Sequence, residues 1–225
     1  MRVCAISDLH GFLPEIEPCD LLLICGDIMP LSIQSKMPAS EKWLDEVFIP
    51  WIDNQLIDQA ILIAGNHDHY MERCDKKASL MLNTKKLTYL RNESTTYVSN
   101  YGESITIFGT PYCKIFGNWA FMRDPDTLKE KYSAIPENVD ILISHDAPYG
   151  VSDILLQSDM YTGEHIGNKQ LAEAILEKFP KLVIHGHLHS TSRNFENLGD
   201  SKVINCSIVD EHYSFVYPPI YFNFP

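Results

Sequence analysis

Short apolar runs punctuate the chain: residues 1–7 (MRVCAIS), 20–25 (DLLLIC), 59–64 (QAILIA), 104–111 (SITIFGTP), 139–144 (VDILIS), 181–186 (KLVIHG) and 202–208 (KVINCSI). Runs of this length, rich in Ile, Leu and Val and mostly closed by Gly, Asp, Asn or His, predict buried strands. Two helical patterns lie between them. Residues 40–55 open with Ser40 as a cap and put Trp43, Val47 and Trp51 on one side, with Pro50 expected to kink or end the helix. Residues 168–180 repeat Leu171, Ile175 and Phe179 every four positions and stop at Pro180. Strand and helix alternating in this order predict one layered α/β domain over 1–225, its functional groups carried by loops at strand ends. The stretch 112–138 has no clear period. It carries Trp119, Phe121, Met122 and Arg123, and reads either as a loop over a site or as surface packing.

The strand ends change the picture. SDLH supplies Asp8 and His10, CGDI supplies Asp27, AGNHDH supplies Asn66, His67, Asp68 and His69, ISHD supplies His145 and Asp146, and HGHLH supplies His185, His187 and His189. A single polar residue closing a strand is an ordinary turn former. Together, however, carboxylates, a neutral amide and several imidazoles suit Mn, Fe or Zn far better than a Cys-rich structural zinc site does. Asp8, His10, Asp27, Asn66, His145, His187 and His189 also exceed what one four- to six-coordinate ion uses, which points to two metals.

The ordered set Asp8-Leu-His10, Gly26-Asp27, Gly65-Asn66-His67-Asp68, His145 and Gly186-His187-Leu188-His189 resembles the calcineurin-like metallophosphoesterase family across residues 3–189. The resemblance implies a four-layer α/β/β/α sandwich of two mixed sheets flanked by helices, with a dinuclear centre at one edge. It implies that one metal takes Asp8, His10 and His189, the other Asn66, His145 and His187, and that Asp27 bridges them. Manganese is the expected ion, with Fe, Zn, Ni or Co as alternatives. His67 is left free to protonate the leaving oxygen, held by Asp68, since a carboxylate fixes an imidazole's tautomer and raises its basicity. A metal-bridging hydroxide would attack phosphorus in line. His185 precedes the motif glycine and is expected to be a core or supporting residue; His69, His165 and His212 receive no role.

Charge and composition narrow the substrate. Thirty acidic against eighteen basic residues give a formal charge of −12, with no Lys or Arg cluster, so a long duplex or an anionic membrane is a poor partner. A small anionic phosphate ester fits if bound metal supplies local positive charge. SHDAPYG (144–150) and GEHIGN (163–168) resemble a subgroup that includes phosphodiesterases of small cyclic nucleotides. Small phosphodiesters are therefore the expected substrates; phosphomonoesters, short oligonucleotides or a non-catalytic scaffold on the same fold are the alternatives. Arg123 as a phosphate clamp, and Tyr112, Trp119 or Phe121 as stacking surfaces, are the candidate substrate contacts. The six cysteines form no CxxC pair and read as reduced. No apolar run is long enough to span a bilayer, and the first strand begins at Met1, so a cytoplasmic protein is expected.

Overall fold

A computed structural model describes residues 1–100, 102–155 and 163–225. Seven apolar runs form strands close to their expected positions: β1 (Arg2–Ile6), β2 (Cys19–Cys25), β3 (Ile57–Ile63), β6 (Ser104–Thr110), β9 (Ile141–Ser144), β10 (Leu182–His185) and β12 (Ser201–Asn205). Six further strands, β4 (Leu87–Leu90), β5 (Glu93–Val98), β7 (Cys113–Lys114), β8 (Met122–Arg123), β11 (Glu196–Leu198) and β13 (Ile220–Asn223), complete the sheets. One sheet runs β13-β1-β2-β3-β4, the other β11-β12-β10-β9-β6-β5, and β7 pairs with β8 apart from both. In each large sheet the inner strands are parallel and antiparallel strands lie at edges.

Four layers follow from the two faces of each strand. Val3, Ala5, Leu21, Leu23, Ile61 and Ile63 from the first sheet meet Ile107, Ile141, Ile143, Leu182 and Ile184 from the second in one buried cluster. The alternate residues, among them Cys4, Ile6, Leu22, Ile24 and Leu62, and likewise Phe108, Leu142 and Val183, belong to a cluster with helix side chains. Burial on both faces explains why these strands read as continuous apolar runs rather than as alternation. Each fully buried Leu or Ile is worth roughly 1.5–3 kcal/mol.

The helices depart from their sequence expectation in detail. Helix α1 (Met37–Trp43) begins three residues before Ser40, whose hydroxyl donates to Ile33 O from inside the helix, so Ser40 is not its cap. A wider π turn over Leu44–Phe48 follows, in which the Ile49 N–H reaches back to Leu44 O, and α2 (Ile49–Asp53) completes the rod. Pro50 has no N–H to give the preceding turn, and the π turn absorbs that gap without breaking the rod. The buried positions are Leu44, Phe48 and Ile52; Val47 is 41% exposed. Two short helices, α3 (His69–Arg73) and α4 (Asp75–Leu82), lie after β3, and α5 (Pro125–Ser133) occupies part of the stretch that lacked a period. Helix α6 (Lys169–Lys178) is capped by Asn168, whose side chain accepts from Leu171 N, and buries Leu171 and Ile175. Phe179 leaves that face: it ends the helix in a left-handed conformation and is 50% exposed.

The C-terminal ends of the parallel strands meet at one edge. Ser7 N donates to Cys206 O (2.9 Å) and Ile208 N to Ser7 O (3.0 Å), joining the end of β1 to the segment after β12. His145 Nδ1 lies 2.8 Å from Cys25 O, tying β9 to β2. Asp8, His10, Asp27, Asn66, His145, His187 and His189 therefore gather at the same crevice, the usual ligand position in open α/β sheets. Among the described residues no helix is long and apolar enough to cross a membrane, and all six cysteines are free thiols.

Candidate metal centre

Five residues at this crevice hold left-handed backbone although none is glycine: Asp8 (φ 57), His10 (φ 43), Asp27 (φ 52), His187 (φ 68) and Tyr213 (φ 59). Such conformations cost on the order of 1–3 kcal/mol each and persist where surrounding structure enforces them. They let successive side chains turn inward at the strand ends. Glycines supply the remaining room. A Cβ on Gly186 would lie 2.0 Å from Ser7 Oγ and 2.3 Å from Asp8 Oδ2, and one on Gly65 would lie 2.2 Å from Asp27 Oδ1.

Three groups of donors result, two of which share Asp8. Asp8, His10 and His189 bring one ligand atom each within 4.8 Å of one another, and Asp8, Asp27 and His145 do the same. His189 Nε2 is 3.3 Å from Asp8 Oδ1, while its Nδ1 is 3.0 Å from Asp210 O. On the other side His145 Nε2 is 3.0 Å from Asn66 Oδ1 and 3.3 Å from Asp27 Oδ2, and the His187 ring lies 5.1 Å from that of His145. Asp27, a member of the second group, also approaches the first, its Oδ2 3.9 Å from His10 Nε2 and 4.0 Å from His67 Nε2. The His187 backbone N–H donates to both Asp8 oxygens, at 3.1 and 3.0 Å, which orients that carboxylate.

Divalent cations fit this arrangement. Both ring nitrogens of His10 are buried without a hydrogen-bond partner among the described residues, a costly state that a ligated cation relieves. His145 and His189 each spend Nδ1 on a backbone carbonyl and so present Nε2 inward, the pattern of metal-ligating imidazoles.

The charges are strongly coupled. Burial alone would raise Asp8 and Asp27, but His189 and His145 around Asp8, and His145 and His67 around Asp27, carry both carboxyls well below the usual range. Burial pushes the His10 and His187 imidazoles down to about 4. It pushes His145 down too, yet the charge and hydrogen bond of Asp27 and the charge of Asp8 win and raise it to about 10. A stability test follows for chelated protein. A histidine raised from 6.5 to about 10 stabilises the fold fully below about pH 6.5 and loses that contribution as pH rises through about 10. The Tm of EDTA-treated protein is therefore expected to fall across that window, whereas metal-loaded protein, with His145 Nε2 committed to the cation, is expected to lack this decline. An equal slope with and without metal would contradict the His145 assignment.

His67 and Asp68 part company. The His67 Nδ1 hydrogen-bonds Gln34 Oε1, and its ring lies against Trp119 with centroids 4.5 Å apart. Asp68 does not orient His67 as expected from sequence. Its carboxylate accepts from the backbone N–H groups of Gly65 (2.8 Å), Met29 (3.0 Å) and Ile28 (3.4 Å), stapling the segment after β3 to that after β2. Consecutive residues entering a helix point in different directions, so adjacency in the chain does not make them partners.

The expected substrate contacts shift as well. Arg123 donates to Glu72 Oε1 (3.0 Å) and lies over the Tyr112 ring at 5.3 Å. Tyr112 is buried against Phe121. Neither Arg123 nor Tyr112 lines the crevice, because the Glu72 pair holds the guanidinium away from it. Trp119, one of the expected stacking surfaces, does line it, with Phe116 of the same loop and Tyr213 opposite, in a pocket of about 390 Å³ that includes Asp27, Asn66, His67, His187 and His189, whereas Phe121 is fully buried. Tyr213 packs edge-on to His10 at 4.8 Å and to His189 at 5.1 Å. Gln34 and Tyr213 carried no signal in sequence: each sits in an irregular segment outside the motifs.

The other histidines separate cleanly. His185 is fully buried with Nδ1 3.1 Å from Gly186 O and Nε2 without a hydrogen-bond partner among the described residues, behind the centre rather than in it. His165 pairs with Asp153 (2.6 Å), His69 is buried 6.0 Å from Trp119, and His212 is exposed.

Layered α/β architecture with strand-end donors of this kind defines a metallophosphoesterase-type protein. The sequence profile of the calcineurin-like phosphoesterase family matches residues 1–191, and the chain belongs to that family. Among curated relatives, it is 26% identical over 249 residues to the human metallophosphoesterase domain-containing protein 1, covering all of this chain and 71% of that protein. It is 29% identical over 195 residues to a probable rhamnogalacturonate lyase C of Emericella nidulans, covering 84% of this chain but only 17% of that one. The phosphopantetheinyl hydrolase of Mycobacterium tuberculosis shares the fold, with a TM-score of 0.58 at 12% identity over 94% of this chain and 90% of that structure.

Proposed function

We propose that the chain is a divalent-metal-dependent phosphoesterase that hydrolyses small phosphodiesters, cyclic nucleotides among them. The observation that carries this reading is the pair of donor groups, sharing Asp8 and flanking Asp27, at the base of a pocket with His67 on its wall. Asp8, His10 and His189 would hold one ion, Asn66, His145 and His187 the other, with Asp27 between. Such ions supply Lewis acidity to phosphoryl oxygens and acidify water for attack at phosphorus.

The chain's own groups do the rest. Gln34 accepts from His67 Nδ1–H, so Nε2 is the atom that faces the centre; the imidazolium form, protonated on both nitrogens, gives its Nε2 proton to the leaving oxygen and is left as the neutral ring with Nδ1–H still on Gln34. Trp119 on the His67 side and Phe116 on the His187 side flank the pocket with aromatic faces, which suits a substituent on each side of the phosphorus more than the bare phosphate of a monoester. A volume of about 390 Å³ lies at the small end of ligand sites, and the acidic chain lacks a track for a long polyanion.

Mn²⁺-loaded protein is expected to hydrolyse bis(p-nitrophenyl) phosphate faster than p-nitrophenyl phosphate, and chelation to abolish both. A panel of 2′,3′- and 3′,5′-cyclic nucleotides, short oligonucleotides and monoesters then ranks the substrates. Preference for monoesters would overturn the diester reading. Absence of turnover with Mn, Fe, Co, Ni and Zn alike would leave an interaction scaffold as the better account.

A further inference from the structure

One nucleophilic side chain of the crevice has no part in the chemistry above. Cys113, in β7, is fully buried, and its Sγ lies with ring nitrogens of His145 and His187 in a group whose atoms are all within 4.8 Å of one another. Its place is built rather than incidental. The Cys113 N–H donates to Phe121 O (3.1 Å), and the next N–H, that of Lys114, donates to Asp146 Oδ2 (2.9 Å), which pins β7 against the end of β9 that carries His145. Among the described residues the thiol's hydrogen bond runs to Pro111 O at 3.5 Å, a weak contact.

We propose that Cys113 is a further metal ligand, its sulfur joining His145 and His187 on the second ion. The proposal rests on the metal-dependent reading above. Metal–sulfur and metal–nitrogen bonds of about 2.3 and 2.0 Å place such donors roughly 3.5 Å apart in a tetrahedral shell and at most about 4.3 Å apart in any shell, so donor atoms already within 4.8 Å of one another need only a small inward adjustment to share an ion. When the ion binds, the S–H bond breaks, the proton leaves to solvent and the sulfur electron pair forms the bond to the metal; nothing is oxidised or reduced. The two sites then differ in kind. Asp8, His10 and His189 offer one hard oxygen and two nitrogens, whereas the Cys113 side adds a soft sulfur that favours Zn, Co or Fe(II) over Mn.

Cobalt(II) titration of the full chain tests this by absorption, independently of turnover. A thiolate-to-cobalt charge-transfer band in the near ultraviolet is expected to grow with the first or second equivalent and saturate at one thiolate-bound cobalt per chain. Cys113→Ser is expected to lose the band while still binding cobalt, and Cys74→Ser, altering a thiol outside the crevice, to keep it. Two bound cobalt ions with no band, or a band unchanged in Cys113→Ser, would overturn the assignment. Should Cys113→Ser fail to fold, cadmium-113 NMR of the unaltered protein decides: one strongly deshielded, thiolate-type resonance supports it, and resonances confined to the oxygen and nitrogen range overturn it. Failure to bind any divalent ion would remove the metal-dependent reading along with it.

Discussion

His67→Ala is expected to keep its full metal content and lose about 10²- to 10⁴-fold in turnover, the usual worth of a positioned proton donor. The loss should be largest for substrates with poor leaving groups and small for p-nitrophenolate, which leaves without help. Neighbouring substitutions separate the two roles that sequence had joined. Gln34 touches His67 Nδ1, so Gln34→Ala is expected to lower turnover by roughly 10- to 100-fold with stability little changed. Asp68 instead satisfies the amides of Gly65, Met29 and Ile28. Asp68→Ala leaves those buried donors unpaired, at about 1–3 kcal/mol for each well-made bond, and should show first as a lower midpoint in urea unfolding. Were Asp68→Ala to match His67→Ala in turnover while unfolding like the unaltered protein, Asp68 would be the orienting group after all.

Gly65→Ala is expected to destroy metal binding through a single methyl group. The added carbon would stand 2.2 Å from Asp27 Oδ1, 2.5 Å from Asp27 N and 2.6 Å from His145 Cε1, and backbone at that range cannot step aside as a flexible side chain does. Overpacking of this kind costs about 1–3 kcal/mol in stability. Its larger effect falls on function, because the atoms that must move belong to Asp27 and His145, both candidate metal donors. Metal analysis after dialysis should find both sites depleted, with far-UV circular dichroism near that of the unaltered chain. Retention of stoichiometric metal by Gly65→Ala would mean that the crevice yields more than its spacing implies.

The principal strands and the donor side chains that gather at their ends were legible in the chain because both depend on local order. Residues buried on both faces must be apolar in sequence, and the donors follow immediately where those runs stop. Edge strands were harder to see: Glu93–Val98 exposes most of its side chains, so no apolar run announces it. One helical face was displaced by a single position: Leu44, Phe48 and Ile52 are buried where Trp43, Val47 and Trp51 were expected, and because both sets keep the same four-residue spacing, periodicity alone does not choose between them.

Contacts between distant segments belonged to the tertiary structure alone. Residues 34 and 67, or 113 and 187, become neighbours only because two sheets bring the ends of their parallel strands to one edge. Adjacency in the chain suggested Asp68 for His67, and charge suggested Arg123 for phosphate, yet packing directs Asp68 to backbone amides and Arg123 to Glu72. Residue type sets which chemistry a side chain can perform. Which partner it performs that chemistry with is set by where the strands end and by how much room a glycine leaves between them.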